Sequence, residues 1–264
     1  MSWIEALILG LVQGLTEFLP VSSSGHLAIG KALFGIETAD LSFEVAVHAA
    51  TVLATIIVFW KDIVGLLGGL FKFKMNSETR YILLILLSMI PVFIVGVFLK
   101  DSVEDLFGSG LLVVGIALVV TALLLFLSET LTARRGEEGG KVTWKSALWM
   151  GLAQAVAVIP GLSRSGSTIA AGLLSGVSKK EVTRFSFLMV LIPILGEAFL
   201  DVVGGDFAAS SVGVLPLVLG FLAAFVSGLF ACRVMIAIVK KARLKWFALY
   251  CVLVGIACII STMV

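Results

Sequence analysis

Apolar residues run through this chain in blocks, and the block lengths fall into two groups. Six runs, 43–60, 81–99, 111–127, 185–203, 212–235 and 246–264, have about the twenty residues that a helix needs to cross a hydrocarbon core roughly 30 Å thick. Four others, 4–19, 27–34, 147–159 and 168–174, are too short for that at about 1.5 Å per residue. The short runs form two pairs, each interrupted by proline and a Ser/Gly cluster. The pattern predicts six transmembrane helices plus two re-entrant helix pairs, 4–34 and 147–176. Each pair enters the membrane, breaks and returns. Broken backbone at membrane depth is tolerated only where it is buried in protein or lines a water-filled cavity.

The two short-run stretches are copies of each other. Residues 6–30 read ALILGLVQGLTEFLPVSSSGHLAIG and residues 147–171 read ALWMGLAQAVAVIPGLSRSGSTIAA. Superposing Ala6 on Ala147 also pairs Gly10 with Gly151, Gln13 with Gln154, Ser22 with Ser163, Ser24 with Ser165 and Gly25 with Gly166. The chain divides into repeat 1 (about 1–128), a linker (129–145) and repeat 2 (about 146–264), together one membrane domain. Each repeat holds one re-entrant pair and three spans. Three is odd, so the repeats have opposite orientation, an inverted-topology arrangement with the two Ser-rich tips meeting near the midplane.

Composition and charge agree. The chain is 60% hydrophobic and 14% charged, with mean hydropathy +1.16. A soluble domain is nearer a quarter charged. This is an all-α polytopic integral membrane protein. Most of the 19 basic residues fall in segments 61–80, 129–145, 177–184 and 237–246, among them Arg134, Arg135, Lys240, Lys241 and Arg243. Segments 100–110 and 201–211 are acidic, with Asp101, Glu104, Asp105, Asp201 and Asp206. The positive-inside rule places the basic loops in the cytoplasm and both termini outside, provided that 146–176 leaves and returns on one side. Met1-Ser2-Trp3-Ile4-Glu5 has no basic n-region, so no secretory signal is expected. The three cysteines, Cys232, Cys251 and Cys258, and two histidines suggest neither a disulfide framework nor a zinc site. The basic clusters read as topology determinants that can also touch anionic membrane lipids. No nucleic-acid partner is expected, and a homodimer is compatible with the sequence.

The chemistry sits at the tips. Gln13 and Glu17 are one helical turn apart and share a face. A carboxylate in a membrane is expensive and points to function by default. Ser22, Ser23, Ser24, Gly25 and His26 follow Pro20. One serine suffices as the N-cap of the helix that begins there; three followed by Gly and His exceed that need. The second tip carries Gly161, Ser163, Arg164, Ser165, Gly166, Ser167 and Thr168. An arginine at this depth requires an anion. The anion is either Glu17, in a structural ion pair, or a ligand. Hydroxyls, glycines and the N-terminus of a half-helix favour a phosphate ligand. The superposition pairs Ser23 with Arg164, Glu17 with Val158 and His26 with Ser167. One tip holds the nucleophile or base and the other the anion clamp, the division that phosphoryl hydrolysis needs.

At these residues the chain resembles the bacitracin-resistance type undecaprenyl-pyrophosphate phosphatases. That family's signatures are (E/Q)xxxE leading into PVSS(S/T)GH, and PGxSRSxxT. Here they stand as Gln13–Glu17 with Pro20–His26, and as Pro160–Thr168, and the likeness extends to Phe43-Glu44-Val45 and Phe185-Ser186-Phe187-Leu188. The resemblance implies a bacterial cytoplasmic-membrane enzyme that removes one phosphate from the C55 lipid pyrophosphate. That reaction recycles the carrier for cell-wall synthesis and confers bacitracin resistance. It implies Ser23 as nucleophile, supported by Glu17, with His26 and Arg164 completing the site. Gln13 in place of a glutamate puts a two-carboxylate metal site in doubt. The other integral-membrane phosphatase superfamily also has SGH and SR elements, but neither K…RP nor HxxxD is found here.

The mechanism expected from these residues has Arg164, Ser163, Ser165, Ser167, Thr168 and the half-helix amides holding the pyrophosphate, while the polyprenyl tail stays in hydrocarbon. Ser23 attacks the terminal phosphorus with Glu17 or His26 as base, or those residues activate water directly. Mg²⁺ or Ca²⁺ bridging the phosphates suits a hard oxygen ligand such as Glu17. Glu44, near the outer end of the first span, and His48, one turn deeper, are candidates to line the pocket, although His48 reads more readily as a packed helix residue. Glu197 has no assigned role. The rival reading is a secondary transporter or lipid translocator using the same midplane anion site. Binding groups alone suffice for transport, so the Ser23, Glu17 and His26 cluster favours an enzyme.

Overall fold

The computed structural model describes residues 1–36, 42–99, 106, 110–132, 139–196, 212–239 and 244–263. The acidic segments with Asp101, Glu104, Asp105, Asp201 and Asp206, and also Arg134, Arg135, Glu197, Lys240, Lys241 and Arg243, lie outside these residues. All regular structure among the described residues is helical: α1 Trp3–Phe18, α2 Ser23–Phe34, α3 Ser42–Val58, α4 Trp60–Leu70, α5 Ser77–Phe98, α6 Gly110–Thr132, α7 Trp144–Val156, α8 Arg164–Leu174, α9 Lys179–Met189, α10 Val214–Val239 and α11 Lys245–Ser261. The protein is an all-α polytopic membrane protein. Among the described residues α5, α6 and α10 are apolar and long enough to span a bilayer singly, and α11 is a shorter apolar helix.

The two predicted re-entrant stretches are helix–break–helix units, α1–α2 and α7–α8. The second closes on itself. The Gly140 N–H donates to the Gly176 carbonyl (2.9 Å), and the Ser178 N–H donates to the Gly140 carbonyl (3.0 Å). Gly140 and Val177 thus form an isolated parallel bridge. The chain entering α7 therefore begins beside the point where it leaves α8.

Two sequence expectations change. The segment 61–80 is not a plain loop, because Trp60–Leu70 forms α4, bent 73° from α3. Trp60, Val64, Leu67 and Phe71 recur at helical spacing and are all exposed, a stripe that Gly65, Gly68 and Gly69 dilute in the sequence. The run 185–203 is not one continuous helix over its described part. It starts earlier, at Lys179, capped by Ser178, and turns at Val190 before helical residues 191–196. Pro193 has no N–H to give the Met189 carbonyl, which breaks the ladder there.

Packing pairs the halves crosswise. The first helix of each half lies along a long helix of the other: α1 on α10, and α7 on α5. The last helices, α6 and α11, pack on each other. Small residues set these approaches. A Cβ on Gly10 would sit 2.3 Å from the Gly220 carbonyl oxygen, and one on Gly151 would sit 2.3 Å from the Ser88 carbonyl oxygen. Gly10 and Gly151 are the residues that the sequence repeat superposes. In the α6–α11 crossing a Cβ on Gly115 would meet the Gly255 oxygen at 2.7 Å, and one on Gly255 would meet the Gly115 oxygen at 2.7 Å. Small residues at membrane helix crossings let backbones approach in this way.

Gly10→Ala and Gly151→Ala should each destabilise the detergent-solubilised protein by about 1–3 kcal/mol, because the facing atoms are backbone and cannot rotate away. Gly68→Ala in α4 has open space around it and should be neutral or stabilising by up to about 1 kcal/mol. Thermal unfolding of the three variants checks this; equal behaviour would mean the crossings relax freely.

Candidate functional site

Both tips are built by the same device. In the first, α1 ends at Phe18, the chain runs extended through Leu19, and the Ser22 hydroxyl accepts the Gly25 N–H (3.1 Å) to start α2. In the second, the Ser163 hydroxyl accepts the Gly166 N–H (3.1 Å) to start α8. In each, the cap hydroxyl also lies 3.3 Å from the next-but-one serine, Ser24 or Ser165. Ser22 holds φ +69°, uncommon for a residue with a side chain. Gly161 holds φ +89°, and a Cβ there would strike the Val114 backbone at 2.7 Å, so both conformation and space exclude other residues. The Ser163 N–H is taken by the Thr121 hydroxyl on α6 (3.0 Å).

The tips interlock. The Gly161 N–H donates to the Ser24 hydroxyl (3.5 Å), and the Ser165 hydroxyl donates to the Leu19 carbonyl (3.1 Å). Glu17 is the hub, its side chain only 7% exposed. Its Oε1 accepts from Arg164 Nη2 of the other tip. Its Oε2 accepts from the Ser23 hydroxyl (2.5 Å) and from Gln13 Nε2 (2.9 Å). The structure therefore brings Gln13, Glu17, Ser23 and Arg164 into one cluster. Thr168 joins from α8, donating to the Arg164 carbonyl (2.9 Å) and sharing a hydrogen bond with Ser186 on α9 (2.6 Å). Ser167 is buried, its hydroxyl without a partner among the described residues.

His26 is held apart from this cluster. Its Nδ1 lies 2.7 Å from the Ser22 carbonyl, and its Nε2 lies 2.7 Å from the Tyr250 hydroxyl on α11. The histidine beside Glu17 is His48, with Nε2 3.8 Å from Glu17 Oε2 and Nδ1 bound to the Glu44 carbonyl (2.8 Å). Of the two readings of His48, packed residue or pocket residue, the second fits better, because its ring faces the carboxylate. Glu44 is paired with Lys31 of α2. Sequence reasoning missed Tyr250 and Thr121, which stand outside both signatures; Ser186 lay in a quoted segment without a role.

A narrow cleft opens on the cluster. Glu17, Arg164, Ser165 and Ser186 share its walls with Phe18, Val52, Phe187, Val190 and Ile194. Its walls thus join charged and hydroxyl groups to an apolar surface.

Comparison with known proteins covers nearly the whole chain. The family described as "Bacitracin resistance protein BacA" matches residues 6–257. A protein of Bacteroides fragilis named "Undecaprenyl-diphosphatase" is 58% identical over 98% of this chain and 98% of its own. One of Parabacteroides distasonis with the same name is 58% identical over 100% of this chain and 99% of its own. A third, from Methanosphaera stadtmanae and also so named, is 38% identical over 99% and 98%.

The Arg164–Glu17 contact has a measurable consequence. Removing one partner of a buried pair leaves an uncompensated charge, at a cost of about 3–5 kcal/mol. Arg164→Ala should therefore unfold earlier than the parent in detergent. Arg164→Ala with Glu17→Ala should recover much of the loss, because no lone charge remains. Strictly additive losses in a thermal melt would show that the two charges are solvated separately.

Proposed function

The chain belongs to the bacitracin-resistance (BacA) family, and from that we infer that it is an undecaprenyl-diphosphatase. It hydrolyses undecaprenyl pyrophosphate to undecaprenyl phosphate and inorganic phosphate, returning the carrier lipid to cell-wall synthesis and lowering sensitivity to bacitracin. The observation that carries the chemical reading is the Ser23–Glu17–Arg164 cluster, joined across the two tips at a cleft with apolar walls.

The residues divide the work as follows. Arg164, the Ser165 and Thr168 hydroxyls and the amides at the start of α8 receive the pyrophosphate. A guanidinium carries five N–H donors, so the contact with Glu17 leaves others for phosphate oxygens. Ser23 Oγ attacks the terminal phosphorus as its proton passes to Glu17 Oε2, already its hydrogen-bond acceptor. The anhydride P–O bond breaks and lipid phosphate leaves. Water then hydrolyses the phosphoserine. Glu17 rather than His26 is the base for Ser23, because the imidazole nitrogens are engaged by the Ser22 carbonyl and the Tyr250 hydroxyl. The tail remains against Phe18, Val52, Phe187, Val190 and Ile194.

A divalent cation fits this donor set. Glu17 supplies a carboxylate, and Gln13 Oε1 is a buried amide oxygen without a partner among the described residues. Mg²⁺ commonly takes one or two carboxylates plus substrate phosphates, and Ca²⁺ takes similar hard oxygens. When bound, the ion would neutralise charge on the phosphates. Phosphate release unchanged by EDTA removes the ion from this reading.

Supporting the inverted repeat are the paired packing of α1 on α10 and α7 on α5, and the reciprocal glycine crossing of α6 and α11. We propose six spans, both termini outside the cytoplasmic membrane, and the second re-entrant pair dipping from the cytoplasm. Cysteines placed at 140 and 178 should react with an impermeant reagent from the cytoplasmic side alone. Labelling of 178 from outside sinks the arrangement.

Turnover tests the chemistry. Ser23→Ala and Glu17→Ala should lose roughly 10³-fold or more of phosphate release from polyprenyl pyrophosphate, as removal of a nucleophile or its base does elsewhere. Near-normal release by Ser23→Ala would exclude serine attack and leave water activated by Glu17. Arg164→Lys should be nearly as damaging as Arg164→Ala, since lysine offers a point charge and not a planar fork. Gln13→Ala should be milder than either.

A further inference from the structure

Tyr250 belongs to neither tip and to no signature, yet it makes two separate contacts with His26. Its hydroxyl lies 2.7 Å from His26 Nε2, and its ring stacks on the imidazole with centroids 5.6 Å apart and planes within 7°. The other ring nitrogen is fixed as well, because Nδ1 lies 2.7 Å from the Ser22 carbonyl, which can only accept. Nδ1 therefore carries a proton. In the neutral imidazole this leaves Nε2 as the acceptor, and the Tyr250 hydroxyl as its donor. A ring held at both nitrogens and on one face has no rotational freedom left.

We propose that Tyr250 is a positioning residue of the site. It locks His26 in the tautomer protonated on Nδ1 and keeps the basic Nε2 bound to the phenol through the reaction. The consequence for chemistry is a separation of roles. Glu17 deprotonates Ser23, and His26, with both nitrogens engaged, does not compete for the serine proton. The lock also ties α2, which starts at the first tip, to α11, the last helix of the chain. This role rests on the phosphatase reading given above, but the tautomer itself does not.

Two measurements test it. The chain has only two histidines, so protein labelled with ¹⁵N-histidine gives two imidazoles to assign, His48 being identified with His48→Gln. His26 in the substrate-free parent should show a protonated Nδ1 and an unprotonated, hydrogen-bonded Nε2. A proton resident on Nε2 with Nδ1 bare overturns the proposal without any variant at Tyr250. Tyr250→Phe keeps the stack and removes the hydroxyl. It should shift the His26 Nε2 resonance, raise the rate of His26 acylation by diethyl pyrocarbonate several-fold, and lower kcat by about five- to tenfold with KM changed less than twofold, the scale of one hydrogen bond. Tyr250→Phe with the parent's spectrum, acylation rate and kcat overturns the proposal and leaves Tyr250 as packing. If the parent shows the expected tautomer but releases no phosphate from polyprenyl pyrophosphate, the lock stands and the phosphatase reading falls.

Discussion

One buried carboxylate organises this molecule. Glu17 sits inside an apolar bundle, and a charge there is stable only if it is surrounded by donors. It collects three from the described residues: a hydroxyl and an amide from its own half and a guanidinium from the other. That last contact obliges the two tips to meet. To bring them together, each half must thread its broken helix pair into the other, which is why α1 lies on α10 and α7 on α5. The glycines at those crossings are then required by distance. The Ser163 and Ser22 caps follow for the same reason, since half-helices that start inside a bundle cannot leave their first N–H groups to water.

The two tips share a construction but not a chemistry. Cap, serine spacing and glycine recur in both, whereas carboxylate and arginine occur once each. Shared parts are those that the backbone needs, namely a helix start and room for close approach. Divergent parts are those that meet a ligand. A symmetric pair of carboxylates would repel at this separation, and a symmetric pair of arginines would leave no base. Splitting the charges lets the substrate-free site neutralise itself and still present a cation to phosphate.

Much of this was legible in the sequence, because the signals were local. The proline and Ser/Gly breaks between short apolar runs marked the helix–break–helix units α1–α2 and α7–α8. Polar residues in a greasy context marked Gln13, Glu17, Ser23 and Arg164, and these do converge. The cap role of one serine also came from position alone. What was not legible depends on pairing between distant segments. His48 and Tyr250 stand alone on apolar helices, and nothing near either names its partner. Helix α4 was hidden by glycines that interrupt its stripe, and the turn at Val190 by an apolar run that Pro193 divides. Periodicity describes a helix's faces; it does not say which neighbour each face finds.

The Arg164–Glu17 contact spans 147 residues of chain, and that separation has a meaning for biogenesis. At about 5–20 residues per second of synthesis, some 7–30 s pass between translation of the acid and translation of the base. During that interval the first tip carries a carboxylate with no counter-charge. The nascent protein is thus a different object from the finished one: the contact that joins its two tips cannot form until the second tip has been made.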